Sequence, residues 1–173
     1  MRRLGWGLFL VFALAAAPSA AVAQGGTVAG RVELALPDGQ RIPGEYIRVL
    51  LVTKAVDAQA VVKAASSRKY EPGVRLNRIH MDFFKAVSAR IQADAGYVAA
   101  SCLSGEDGTF AFAPVPPRRY WVLVTFPAMI EGRKVAWQVP VNVGAGKTLK
   151  LVLDNENLLF PIPVPPPPSA PFK

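Results

Sequence analysis

The sequence predicts a mainly β protein, a seven-stranded β-sandwich whose second and third strands are separated by a two-helix insertion. Three observations carry this. Seven short segments show the period of strands and are bounded by Gly, Pro or Asn. Residues 54–95 alone switch to a helical period. The chain has 173 residues, 51% hydrophobic and 18% charged, which is material for one packed domain and too little for two. Stacked helices or βαβ crossovers would show other periods. A single Cys and a single His exclude a disulfide scaffold and a structural zinc site, so apolar packing has to hold the core.

Residues 1–23 read as an export signal. Arg2 and Arg3 precede an apolar run over 8–17, and Ala21-Val22-Ala23 forms the small-x-small pattern of a cleavage site. The run is about half of the ~20 residues a membrane span requires, so cleavage after Ala23 is expected, and no later segment is long enough to span. The only Cys, Cys102, lies deep in the chain and offers no lipid attachment at a new N-terminus. Loss of Arg2 and Arg3 leaves 18 basic and 12 acidic side chains, a net of +6. The expected location is periplasmic or secreted. That compartment is poor in ATP and nicotinamide cofactors, so no cofactor and no nucleic-acid partner are expected.

The sandwich domain is expected over 24–154. In the first strand Val28, Val32 and Leu34 fall on one side and Arg31 and Glu33 on the other, and Pro37-Asp38-Gly39 makes a turn. Residues 46–53 form the second strand, but Val49-Leu50-Leu51-Val52 is apolar on both faces, so a further layer must cover it. The insertion, 54–95, opens with an Ala-rich helix-prone stretch over 56–65; Pro72-Gly73 reads as a break, and a second helix over 75–94 stops before Gly96. At helical spacing Leu76, Ile79, Phe83, Phe84, Val87 and Ile91 share one arc, with Arg78, Asp82 and Lys85 opposite.

Strands resume with 97–103, the turn Gly105-Glu106-Asp107-Gly108, and Thr109-Phe110-Ala111-Phe112-Ala113, which places both Phe on one face. Residues 120–126, 135–141 and 148–153 complete the seven. The remainder, 155–173, holds seven of the 16 Pro, four of them in a row at 165–168. Such a run favours polyproline II and reads as a spacer or a docking strand.

Gly26-Thr27-Val28-Ala29-Gly30-Arg31-Val32, Pro37-Asp38-Gly39-Gln40, Glu106-Asp107-Gly108-Thr109-Phe110-Ala111-Phe112, Val115-Pro116-Pro117 and Tyr120 together resemble the carboxypeptidase regulatory-like, or transthyretin-like, β-sandwich family. The resemblance implies a Greek-key sandwich of the transthyretin (prealbumin) type, working as a non-catalytic structural, adhesive or accessory module of a secreted or envelope protein. These motifs are turns and core aromatics, which specify a fold and are nearly silent about a ligand. The chain departs from the family pattern at Arg118, where Gly usually follows the two prolines, and in the insertion, where the family has a short loop.

The expected function is a non-catalytic accessory or binding module that contacts an envelope component: a protein, a polysaccharide or an anionic surface. The insertion carries Lys54, Lys63, Arg68, Lys69, Arg75, Arg78, Lys85 and Arg90 against Asp57, Glu71, Asp82 and Asp94. Arg68, Lys69, Arg75, Arg78 and Lys85 are the candidate contacts to an anionic surface, with a plain solvated helix face as the competing reading. If Tyr120, Val122 and Val124 face the core, Trp121 and Leu123 face out. Either the insertion covers them or Trp121 contacts a ligand, which is the alternative of a carbohydrate-binding module.

A transthyretin-like hydrolase is the other alternative, but those enzymes use a cluster of His and Arg with a C-terminal Tyr-Arg-Gly-Ser motif, and here His80 stands alone. No catalytic, metal or cofactor residue is assigned. His80 and Cys102 read as packing residues. Gly144-Ala145-Gly146-Lys147-Thr148 reads as a turn, because Val141 stands where a phosphate loop needs Gly and a strand comes directly after it. Glu106-Asp107-Gly108 reads as turn chemistry, short of the ligands a calcium site requires. Arg31 stands where a Lys–Asn isopeptide cross-link would want Lys.

Overall fold

The computed structural model describes residues 24–162; the expected export signal at 1–23 and the proline run at 165–168 lie outside the described residues. In chain order the elements are β1 (Gly26–Ala35), β2 (Arg41–Pro43), β3 (Arg48–Val52), α1 (Ala58–Ser66), α2 (Pro72–Ala93), β4 (Val98–Leu103), β5 (Thr109–Val115), β6 (Arg119–Val124), β7 (Met129–Ile130), β8 (Arg133–Lys134), β9 (Trp137–Asn142) and β10 (Thr148–Leu153). Seven of these strands have five residues or more and lie where the sequence period places them. The three further ones, β2, β7 and β8, have only two or three residues, too few to show a period, so the described strands number ten and not seven.

Two four-stranded sheets face each other across the larger core, the arrangement of a mainly β sandwich. In the first, β1 runs parallel to β10 and antiparallel to β5, and its last three residues pair with β2. The second has the order β4-β3-β6-β9, antiparallel throughout. Val28 and Val32 of β1, Phe110 and Phe112 of β5, Val49 and Leu51 of β3, and Val122 and Val124 of β6 are all buried between them. The two Phe of β5 therefore mark the core side. Glu33, expected on the polar side of β1, is buried because Arg41 of β2 lies against it in an ion pair.

The turn into β5 depends on Gly108. Its φ of +79° is a left-handed value that L side chains rarely adopt, and its carbonyl accepts the Val32 amide at 2.9 Å. A Cβ there would lie 2.3 Å from the Val32 carbonyl oxygen, a backbone atom that cannot swing aside. Gly108→Ala is expected to cost at least about 1–3 kcal/mol from backbone strain alone. Urea unfolding checks this; a loss under about half a kcal/mol would contradict it.

The helices form a third layer on the outer face of β3 and β6. Leu50 and Val52 of β3 and Leu123 of β6 turn away from the sandwich core and are buried against Ala65 of α1 and Ile79, Phe83 and Val87 of α2. Each such side chain removed from water contributes about 1.5–3 kcal/mol. That is why β3 is apolar on both faces. Asp57 caps α1 by accepting the Ala60 amide at 2.9 Å, and the Gln138 side chain on β9 bonds both the amide (2.8 Å) and the carbonyl (2.9 Å) of Val56, fixing where the insertion leaves the sheet. Pro72-Gly73 is not a break between helices: Pro72 opens α2 at its first position, where the missing amide costs nothing.

The domain also runs past the boundary expected at 154. Asp154 and Asn157 form a reciprocal cap around a single 3₁₀ turn, and the Asn155 side chain bonds the Ala35 amide (2.7 Å) and carbonyl (2.9 Å) at the end of β1. Leu158 then bridges Trp137, the Leu159 amide donates to the Ala136 carbonyl at 2.9 Å, and Phe160 is buried in the helical layer's core. Residues 155–162 are thus packed on the folded unit rather than forming a spacer, and the rest of the spacer or docking strand expected over 155–173 lies outside the described residues.

Candidate functional site

The five candidate cations on the insertion do not act as one set. Arg68 and Lys69, in the α1–α2 connection, and Lys85 on α2 are exposed. Arg78 is half-buried and pairs with Asp82 one turn on at 2.8 Å, while Arg75, also half-buried, reaches back to the Tyr70 carbonyl at 3.2 Å. These two hold the α2 N-terminal half and the connection together. Lys63 and Arg90, not among the five, are exposed on the same two helices. The apolar faces of both helices turn to the sheet, and the outward surface of the layer carries Lys63, Arg68, Lys69, Lys85 and Arg90 together with the exposed Asp57, Glu71, Asp94, Val62 and Val74.

Trp121 sits on the outer face of β6, as the strand period requires, and is half-buried against the helical layer. The Arg119 guanidinium lies 5.0 Å from the centre of its ring. The indole therefore already has an apolar neighbour and a cation stacked on it, and it is not a bare aromatic platform.

The apolar arc of α2 divides. Ile79, Phe83 and Val87 enter the core, but Phe84 turns to Phe126, edge to face at 5.7 Å between ring centres, and Ile91 stays 43% exposed. Both line a groove of about 540 Å³ between the C-terminal half of α2, the start of β3, the end of β4 and the loop after β6. Tyr46, Leu103 and Met129 complete its rim. Of the seven large hydrophobic side chains exposed among the described residues, four line this groove, so their apolar surface is concentrated there. Tyr46 is held by a left-handed backbone (φ 52°), and its hydroxyl donates to Glu106 at 2.7 Å. Sequence reasoning missed this site. The one available signal was Leu103, a large apolar residue on the solvent side of β4, whose other outward positions are Ala99 and Ser101.

The remaining candidates have local accounts. His80 is 2% exposed; burial, with Lys134 nearby, pushes its pKa down to about 4, and neither ring nitrogen has a hydrogen-bond partner among the described residues. Burial pushes the Cys102 thiol up, away from the nucleophilic thiolate. Asp107 accepts the Thr109 hydroxyl (2.7 Å) and amide (3.0 Å), which hold its carboxyl below the usual range and account for the Glu106-Asp107-Gly108 sequence as a turn. Gly144 to Thr148 is the β9–β10 turn: the Lys147 amide donates to the Gly144 carbonyl, and β10 begins at once. Among the described residues there is no group of three or more His, Cys, Asp or Glu that could hold a metal ion. No helix among them is long and apolar enough to cross a membrane.

No family model matches the sequence, and no curated protein matches it. Among solved structures, a Pseudomonas aeruginosa protein described as a "putative carbohydrate binding protein" is 17% identical over 76% of this chain and 89% of its own, with a TM-score of 0.46. The minor pilin GBS52 of Streptococcus agalactiae is 11% identical over 85% of this chain, at 0.46, and the major pilin subunit BcpA of Bacillus cereus is 9% identical over 76%, at 0.40. This chain spans about half of the minor pilin (49%) and 30% of the major one. With TM-scores below 0.5, the mainly β architecture rests on the strand ladders described above, and the likeness to the carboxypeptidase regulatory-like family remains one of motifs.

Proposed function

We propose that this chain is an exported, non-catalytic β-sandwich accessory module that meets an anionic component of the cell envelope through the outer surface of its helical layer. The observation that carries this reading is the division of labour on the insertion. Its apolar side is consumed in covering β3 and β6, while Arg68, Lys69 and Lys85 remain in solvent on a layer that serves no other contact among the described residues. Each cation near an anionic surface contributes about 1 kcal/mol, and the attraction falls off within a Debye length.

The test is co-sedimentation of residues 24–173 with isolated membranes, wall material and released polysaccharide across salt. A variant carrying Arg68→Gln, Lys69→Gln and Lys85→Gln serves as comparison. The intact chain is expected to bind at low salt and release at high salt, and the triple variant to bind about 10–100-fold more weakly. Circular dichroism should be unchanged, since all three side chains are exposed. Trp121→Ala is expected to leave the salt-dependent binding intact; loss of binding there, with the triple variant unaffected, would favour the carbohydrate-binding alternative. No binding by the intact chain would overturn the reading.

A further inference from the structure

The groove beneath α2 has a ready occupant in the chain itself. The described chain ends at Ile162, which lines the same cleft as Arg133 of β8. Met129, on the rim of the groove, belongs to β7, and β7 and β8 form one hairpin in which Met129 pairs with Lys134 and Ile130 with Arg133. The exit point and the groove therefore both border the β7–β8 hairpin, Ile162 through the cleft that it shares with Arg133 and the groove through Met129. Eleven residues come after Ile162, and at about 3.1 Å per residue a polyproline II segment of that length spans about 34 Å, enough to pass a two-residue hairpin and lie along a groove of about 540 Å³.

The chemistry of the two surfaces matches. Polyproline segments bind grooves lined by aromatic side chains, because a preformed extended helix without internal hydrogen bonds loses little entropy on docking. The groove offers Tyr46, Phe84 and Phe126, and the segment offers Pro163, the run 165–168 and Pro171. Tyr46 is preset for this: its left-handed backbone and its bond to Glu106 hold the ring at the rim at 59% exposure. From this placement we infer that residues 163–173 dock in the groove lined by Tyr46, Phe84, Ile91, Leu103, Phe126 and Met129 of the same molecule.

The experiment attaches a nitroxide to the full mature chain bearing Cys102→Ser and Ser169→Cys and reads paramagnetic broadening of methyl signals. Loss of signal is expected at Ile91, Leu103 and Met129, while Val62, Val74 and Val152, exposed elsewhere, keep theirs. The loss should persist on dilution and be relieved by Leu103→Lys, a change at a side chain 58% exposed and therefore tolerated by the fold. Broadening seen only when spin-labelled and isotope-labelled molecules are mixed would overturn docking within one molecule and assign the groove to a second copy. Absence of broadening at the three methyls would overturn the inference altogether.

Discussion

Phe160→Ala is expected to lower the stability of the protein by about 3–5 kcal/mol, the range for deleting a fully buried aromatic side chain. The residue is 2% exposed and packs edge to face on Phe83 at 5.4 Å and on His80 at 5.1 Å, inside the cluster that joins α2 to β3 and β6. It arrives there from outside both sheets, held by the Leu158–Trp137 bridge and the Leu159–Ala136 hydrogen bond. Truncation leaves a cavity that those backbone bonds keep from closing, so the transfer and cavity costs both apply. Leu159→Ala, at a partly buried neighbour, should cost less. Urea unfolding of both variants measures the difference. A loss below about 1 kcal/mol for Phe160→Ala would mean that residues 155–162 are an appendage after all.

That segment shows where the sequence is legible and where it is not. The strands that build the sandwich announce themselves because their side chains alternate between two environments. The helical lid is legible from β3 itself, since Leu50 and Val52 on the second face of a strand demand a cover. Arg78, offered by the sequence as a contact to an anionic surface, is instead paired with Asp82 four residues on along the same helix. Residues 155–162, by contrast, carry the composition of a linker: two Asn, a Pro and a further proline run beyond. Only Leu158-Leu159-Phe160 hints at a core contact, and three residues are too few for a period to separate them from a tail. The groove is less legible still. Tyr46, Leu103, Phe126 and Met129 lie in four separate elements or loops and meet only because β3, β4 and β6 end at the same edge of the sandwich beside α2.

His80 supplies the other large effect, and it is one of pH. The imidazole is buried edge to face against Phe160, with both nitrogens unpartnered among the described residues, and the charged group bearing on it is Lys134 of β8. Burial first, and the lysine second, lower its pKa from 6.5 to about 4, so the folded state holds it neutral. Between those two values the unfolded chain binds the proton and the folded chain does not. Stability contributed by this residue is therefore complete above pH 6.5 and falls as the pH drops toward 4, by about 3 kcal/mol in total. Asp107 loses its own contribution only at lower pH, below its ordinary 3.8, because its folded pKa is depressed. The windows do not overlap. In His80→Leu the fall between pH 6.5 and 4 is expected to flatten by about that 3 kcal/mol, while stability at pH 7 stays within about 1 kcal/mol of the parent, because no hydrogen bond is lost with the ring. Unfolding curves at about pH 7, 5.5 and 4 decide it: an unchanged slope in the variant would show that the ring is charged in the folded protein and has a partner or water to hold the proton.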